Sequence, residues 1–282
     1  MIEVFFEEVN EAEVFYYLAK QDNDWNVIRK RITKNLVQLE PNIDMTWDEV
    51  KECVAPLLSR LFIQCREPLM IQQILKKKYH FSNKEEIERI TSIAKSLLEK
   101  DESIYEDRIH QHELRDTLTM IFSLQIDTAY IQFDSIVHFR IHHYMDQLTE
   151  MVGLAIDEFK REEEYQDFIH SIREFIKRKN PVVDELHVIQ GETFQIYREN
   201  GELYTIDDLR KVKERFPLFI FGLEQEEWDI SPLIMLAPNH IFMYGEDQTE
   251  SRTHTILTIF QERCSFYPMD YFPFCSVDEK ES

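Results

Sequence analysis

Residues His138 to Leu148 read HFRIHHYMDQL and place His138, His142 and His143 within six residues. On a helix, His138 and His142 stand one turn apart on one face, a spacing that zinc enzymes use. A zinc site also needs a further ligand and groups that orient the imidazoles. Phe139 and Arg140 stand where an H-E-x-x-H motif would bring its glutamate base. The apolar stripe runs through Val137, Ile141 and Met145, so the histidines flank it and read as boundary residues of an amphipathic helix. No metal is expected there.

Arg140, Tyr144, Glu164 and Tyr165 are the stronger candidates. Arg140 and Tyr144 border the same stripe, and Glu164 and Tyr165 open the next periodic stretch. If two helices fold back on each other, Arg140 can sit buried or half-buried and pair with Glu164, because a buried guanidinium needs a compensating carboxylate. The alternative is a pocket for a polar ligand lined by these four residues. No other constellation competes. There is no G-x-S-x-G elbow, no P-loop and no G-x-G-x-x-G, so no catalytic residue and no cofactor are expected. Cys53 and Cys65 fall on an apolar stripe, and Cys264 and Cys275 lack C-x-x-C spacing, which leaves their metal or redox role open. The runs at Glu162–Glu164 and Glu224–Glu227 read as solvated charge.

These residues must be carried by a real core. The chain has 282 residues, is 43% hydrophobic and 12% aromatic, and holds only 5 glycines, which favours helices over a phosphate cradle. Its net charge of -22 repels phosphate backbones and anionic lipid surfaces. Residues 181–282 alone carry 8 basic and 20 acidic side chains, a net of -12, so the repulsion is not confined to one patch. Nucleic acid is therefore not an expected partner. No run approaches the ~20 apolar residues of a membrane helix, and the start MIEVFFEEVNEAEVF lacks a basic leader segment. The expectation is a cytoplasmic protein without membrane insertion, its cysteines reduced.

The elements follow from periodicity and caps. IEVFFEE (2–8) reads as a strand, Asn10 as the cap of a helix, and residues 25–37 as a second short helix. Thr46-Trp47-Asp48-Glu49 and Ser82-Asn83-Lys84-Glu85 read as capping boxes. Pro56 should kink the helix that follows Thr46, and Pro68 should break or restart it. Ile87, Ile90, Ala94, Leu97 and Leu98 form one stripe; Val137 through Phe159 and Tyr165 through Ile176 form two packed helices or one bent one. Beyond Asn180-Pro181 strands appear: LHVIQ (186–190), a hairpin over 194–206 with Asn200-Gly201 in a type I′ turn, IFMYG (241–245) and CSFY (264–267), with a helix over 253–263. The fold class is α+β. Residues 1–180 form a mainly helical part with a short N-terminal strand, and residues 181–282 a small mixed α/β part that can pack with the first as one unit.

The order of several short elements resembles the YtxC-like sporulation-protein family of endospore-forming Firmicutes. They are F-R-x-x-x-Y (Phe139, Arg140, Tyr144), A-x-x-E-F (Ala155, Glu158, Phe159), E-Y-x-x-F-I (Glu164, Tyr165, Phe168, Ile169), the segment Ile230 to Ile241, and I-F-x-x-R (Ile259, Phe260, Arg263). The resemblance covers roughly residues 115–275. It implies a sporulation setting and no assigned activity. It also implies a cysteine-rich cluster after I-F-x-x-R, of which this chain keeps Cys264 and Cys275. The pattern does not require the three histidines. The function expected is a non-enzymatic, sporulation-associated cytoplasmic protein that contacts partner proteins. The alternative is an enzyme or small-ligand binder with a site around Arg140 between the two parts.

Overall fold

The structure is a computed structural model that describes residues 1–22, 25–29, 35–42, 44–99, 110–214 and 230–274; for 28, 29, 110–113 and 212–214 the description covers the backbone. The chain divides into two compact units, Met1–Arg161 and Glu162–Ser282.

In the first unit, β1 (Ile2–Phe5) leads into α1 (Val9–Gln21), then β2 (Trp25–Arg29) and β3 (Leu36–Pro41). Helices α2 (Trp47–Cys65), α3 (Glu67–Lys77), α4 (Lys84–Glu99) and α5 (His110–Gln125) follow, then β4 (Tyr130–Gln132), α6 (Phe133–Arg140) and the start of α7 (His142–Arg178). The sheet order is β2-β3-β1-β4, with β1 antiparallel to β3 and parallel to β4. Residues 25–37 therefore include two strands in place of the expected short helix. Val27 pairs with Leu39, and Val37 with Val4. These partners lie outside the window a periodicity count can see, and strand propensity is settled by such neighbours.

Local signals set the helix ends. Thr46 and Glu49 form the reciprocal capping box of α2. At α4 the cap is Asn83, not Ser82: its side-chain oxygen accepts from Glu85 N at 2.9 Å, and its carbonyl accepts from Ile87 N. Helix α1 starts at Val9 with Glu8 at the cap position, ahead of Asn10. Helix α2 runs through Pro56, and Pro68 falls in the first turn of α3, where its missing N–H costs no helical bond. The α4 stripe is buried throughout, and aromatic rings link the core from Phe15 through Phe6, Phe133, Phe122 and Phe62 to Tyr144.

The second unit takes the last turns of α7, where Ile169, Ile172 and Ile176 are buried, and adds β5 (Glu185–Ile189), β6 (Gln195–Arg198), α8 (Ile206–Glu214), α9 (Ser231–Leu236), β7 (His240–Gly245), α10 (Ser251–Phe260) and β8 (Cys264–Pro268). Its sheet order is β6-β5-β7-β8; β5, β7 and β8 are parallel and β6 is antiparallel. The units meet inside α7, between Arg161 and Glu162, whereas the change of sequence grammar at Asn180-Pro181 marks where α7 has just ended. The turn at Asn200-Gly201 is present but is not type I′. Gly201 has φ 85° and donates to the Arg198 carbonyl, while Asn200 is not at positive φ. A type I turn followed by a left-handed glycine makes this three-residue loop.

Among the described residues of this unit Ala237 and Gln261 are the non-glycine residues at positive φ, and Gln261 is the more strained. Gln261, which ends α10, has φ 48° and ψ -118°, a conformation natural to glycine. It is exposed, so little packing holds it there. Gln261→Gly is expected to raise stability by about 1 kcal/mol, read as a higher denaturation midpoint at unchanged slope. An unchanged or lower midpoint would show that the side chain offsets its own strain.

One face of this sheet is aromatic. His187, Phe242, Tyr244 and Tyr267 alternate outward, and Phe272 and Phe274 pack over them. His187 Nδ1 lies 2.9 Å from the Tyr244 hydroxyl, and burial holds the imidazole below its ordinary pKa of 6.5. The unfolded chain then binds more protons, so stability is present above about pH 6.5 and is lost as pH falls below it. His187→Phe is expected to flatten melting temperature against pH between about 6.5 and 5. An equally steep decline in the variant would assign the loss to other groups.

Candidate functional site

Two sets of buried charges fix the helices of the first unit. Arg66, at the α2–α3 junction, reaches Glu11 on α1 at 2.8 Å and Asp134 on α6 at 2.5 Å. The second oxygen of Asp134 accepts from Glu7 N at 2.7 Å. Burial raises the Glu11 pKa above its ordinary value, and the Arg66 guanidinium opposes that rise. Next door, the fully buried Glu67 accepts both arms of Arg115, at 2.6 and 3.2 Å, and the hydroxyl of Tyr144. Burial first, and then the Glu67 carboxylate, push the Tyr144 phenol well above its usual range.

The contacts of Asp134 with Arg66 and Glu7 N tie α6 to the rest of the first unit. Asp134 is pulled inward, and the opposite side of the helix turns Ser135, Phe139 and Arg140 outward. A cleft of about 360 Å³ lies between α6, the strand β4 and the end of α5. Tyr130, Ile131 and Gln132 line one side, Ile136, Phe139 and Arg140 the other. Phe139 is 70% exposed, an unusual position for so large an apolar side chain.

The sequence candidates separate. Arg140 is exposed on the cleft and Tyr144 is buried against Glu67. Glu164 and Tyr165 are exposed in the middle of α7. Arg140 is exposed, not buried or half-buried as the expected pairing with Glu164 requires, and residues 162–165 continue α7 and begin no second helix. Of the histidines, His138 places Nδ1 2.8 Å from the Asp134 carbonyl, and His142 and His143 are exposed. Among the described residues no group of three or more His, Cys, Asp or Glu is placed to hold a metal. Cys53 is half-buried on α2, Cys65 and Cys264 are free thiols, and burial pushes the Cys264 thiol up to about 12, so it is not a thiolate at neutral pH. Cys275 and Glu224–Glu227 lie outside the described residues.

The cleft and, Glu7 and Glu11 apart, both charge sets fall within residues that follow a known pattern: a profile of the YtxC-like family matches residues 52–265. The chain belongs to the YtxC-like family. It is 25% identical, over all of its own length and 99% of the relative's, to a protein of Bacillus subtilis (strain 168) named uncharacterized protein YtxC. No solved structure matches it. Within the family pattern, Tyr144, Ala155, Phe159, Ile169, Ile259 and Phe260 are core residues, while Phe139 and Arg140 face outward. Sequence reasoning missed the cleft's other wall and the buried charges. Their one legible sign was a charged pair, Arg66-Glu67, between two apolar helical runs and before Pro68.

Proposed function

We propose that this YtxC-like protein is a non-enzymatic, sporulation-associated protein of the cytoplasm that acts by contacting other proteins. The observation that carries the contact reading is the exposed Phe139–Arg140 pair beside an open strand, an apolar and cationic spot on a strongly acidic chain. The sporulation setting rests on family membership. Among the described residues no helix is long and apolar enough to cross a membrane. A second reading, a small ligand held at Arg140, is favoured by the cleft itself, whose volume is at the low end for such sites.

The test is a deletion strain combined with a tagged chain in sporulating cells. Loss of heat-resistant spores on deletion, and a partner cross-linked to the tagged chain only during sporulation, are expected. Normal spore counts in the deletion strain would overturn the reading.

A further inference from the structure

We infer that the cleft between β4 and α6 binds an extended peptide segment of a partner protein, one that carries an apolar side chain and a carboxylate two residues apart. This rests on the protein-contact reading and names the chemistry of the partner.

The backbone supports the extended form. Strand β4 ends the order β2-β3-β1-β4, and no strand pairs with its outer side among the described residues. Glu3 N donates to the Ala129 carbonyl, so Ala129 and Ile131 turn their polar groups toward β1. Tyr130 and Gln132 then turn theirs outward. The Tyr130 carbonyl is occupied by the Thr128 hydroxyl, which leaves the two outward N–H groups to donate to an added strand.

The side chains supply the specificity. On α6, Ile136 and Arg140 are one turn apart, about 6 Å along the helix axis. Alternate residues of a strand lie on one side about 6.6 Å apart. An apolar side chain over Ile136 and Phe139 therefore sets a carboxylate two residues away against Arg140. The lining of the cleft carries no acidic side chain, and the adjoining His138 and His142 are not acidic either. A carboxylate meets its counter-charge here, on a chain whose net charge of -22 offers few such places.

The test pans a phage library of short random peptides on the full chain. Binding of the enriched peptides is then measured with wild type, Arg140→Glu and Phe139→Ser, both exposed positions whose melting temperature checks that folding is intact. Enrichment of peptides with an apolar residue and Asp or Glu two apart is expected. Each variant should weaken them by about tenfold or more, and amide signals of Tyr130 and Gln132 should shift on titration. No shared motif, a basic motif, or equal binding by the variants would overturn the inference. So would a dimer of the wild-type chain that Phe139→Ser dissociates, since the cleft would then be covered by a second copy. If deletion blocks sporulation but Arg140→Glu and Phe139→Ser do not, the cleft assignment fails and the protein-contact reading stands. If deletion has no effect on sporulation, that broader reading fails whatever the peptides do.

Discussion

Arg115→Met is expected to destabilise the first unit by about 3–5 kcal/mol, among the largest losses from one substitution here. Arg115 gives both arms to Glu67, whose carboxylate has no exposure to water. Removing the guanidinium leaves a buried charge with the Tyr144 hydroxyl as its remaining described partner. The cost is that of the uncompensated carboxylate more than of the lost pair. Arg115→Met combined with Glu67→Met should recover part of the loss, and adding Tyr144→Phe should remove the donor left without an acceptor. Urea unfolding of the single, double and triple variants measures this. A loss under about 1 kcal/mol for Arg115→Met would mean that water reaches Glu67 and screens it.

Arg66→Leu should cost a similar amount, about 3–5 kcal/mol at neutral pH, because one guanidinium serves both Glu11 and Asp134. Its signature is a pH dependence. Burial already holds the Glu11 pKa above its ordinary value of 4.5, against the pull of Arg66. Without Arg66 it rises further. A carboxyl whose folded pKa exceeds its unfolded one keeps its proton longer in the folded state, so stability is greatest below the unfolded pKa and falls as pH rises through the folded one. The gap between variant and wild type should therefore narrow as pH falls from about 7 to 5. Melting temperatures of both proteins across that range decide it. A gap that widens on acidification would show that the lost contacts were packing, not charge.

Arg66→Leu acts on the helix that forms one wall of the cleft, which gives it a functional use. Asp134 sits near the start of α6 and Arg140 at its end. A variant that frees Asp134 should disturb peptide binding through position. Arg140→Glu should weaken it by about tenfold or more through charge, with stability unchanged. The pair of measurements separates support from contact.

The sequence by itself determined the features that neighbouring residues decide. The capping box at Thr46, the start of α3 around Pro68, the buried stripes of α4 and α7 and the strands β5, β7 and β8 all rest on caps, proline or periodicity within a few turns. The α+β class followed from the same local signals. Tertiary structure alone decided the rest. Residues 25–37 include two strands because β1 and β3 supply partners. Arg140 faces water, and Arg66 and Arg115 are the ones held by buried carboxylates, because compensation of a charge depends on groups brought from α1, α3 and α6. The cleft lies between an edge strand and the helix that follows it, and Asp134 ties that helix to Arg66, a residue distant in the chain. No spacing of residue types can report that, since burial and pairing are properties of distant segments meeting, not of the segment that carries the side chain.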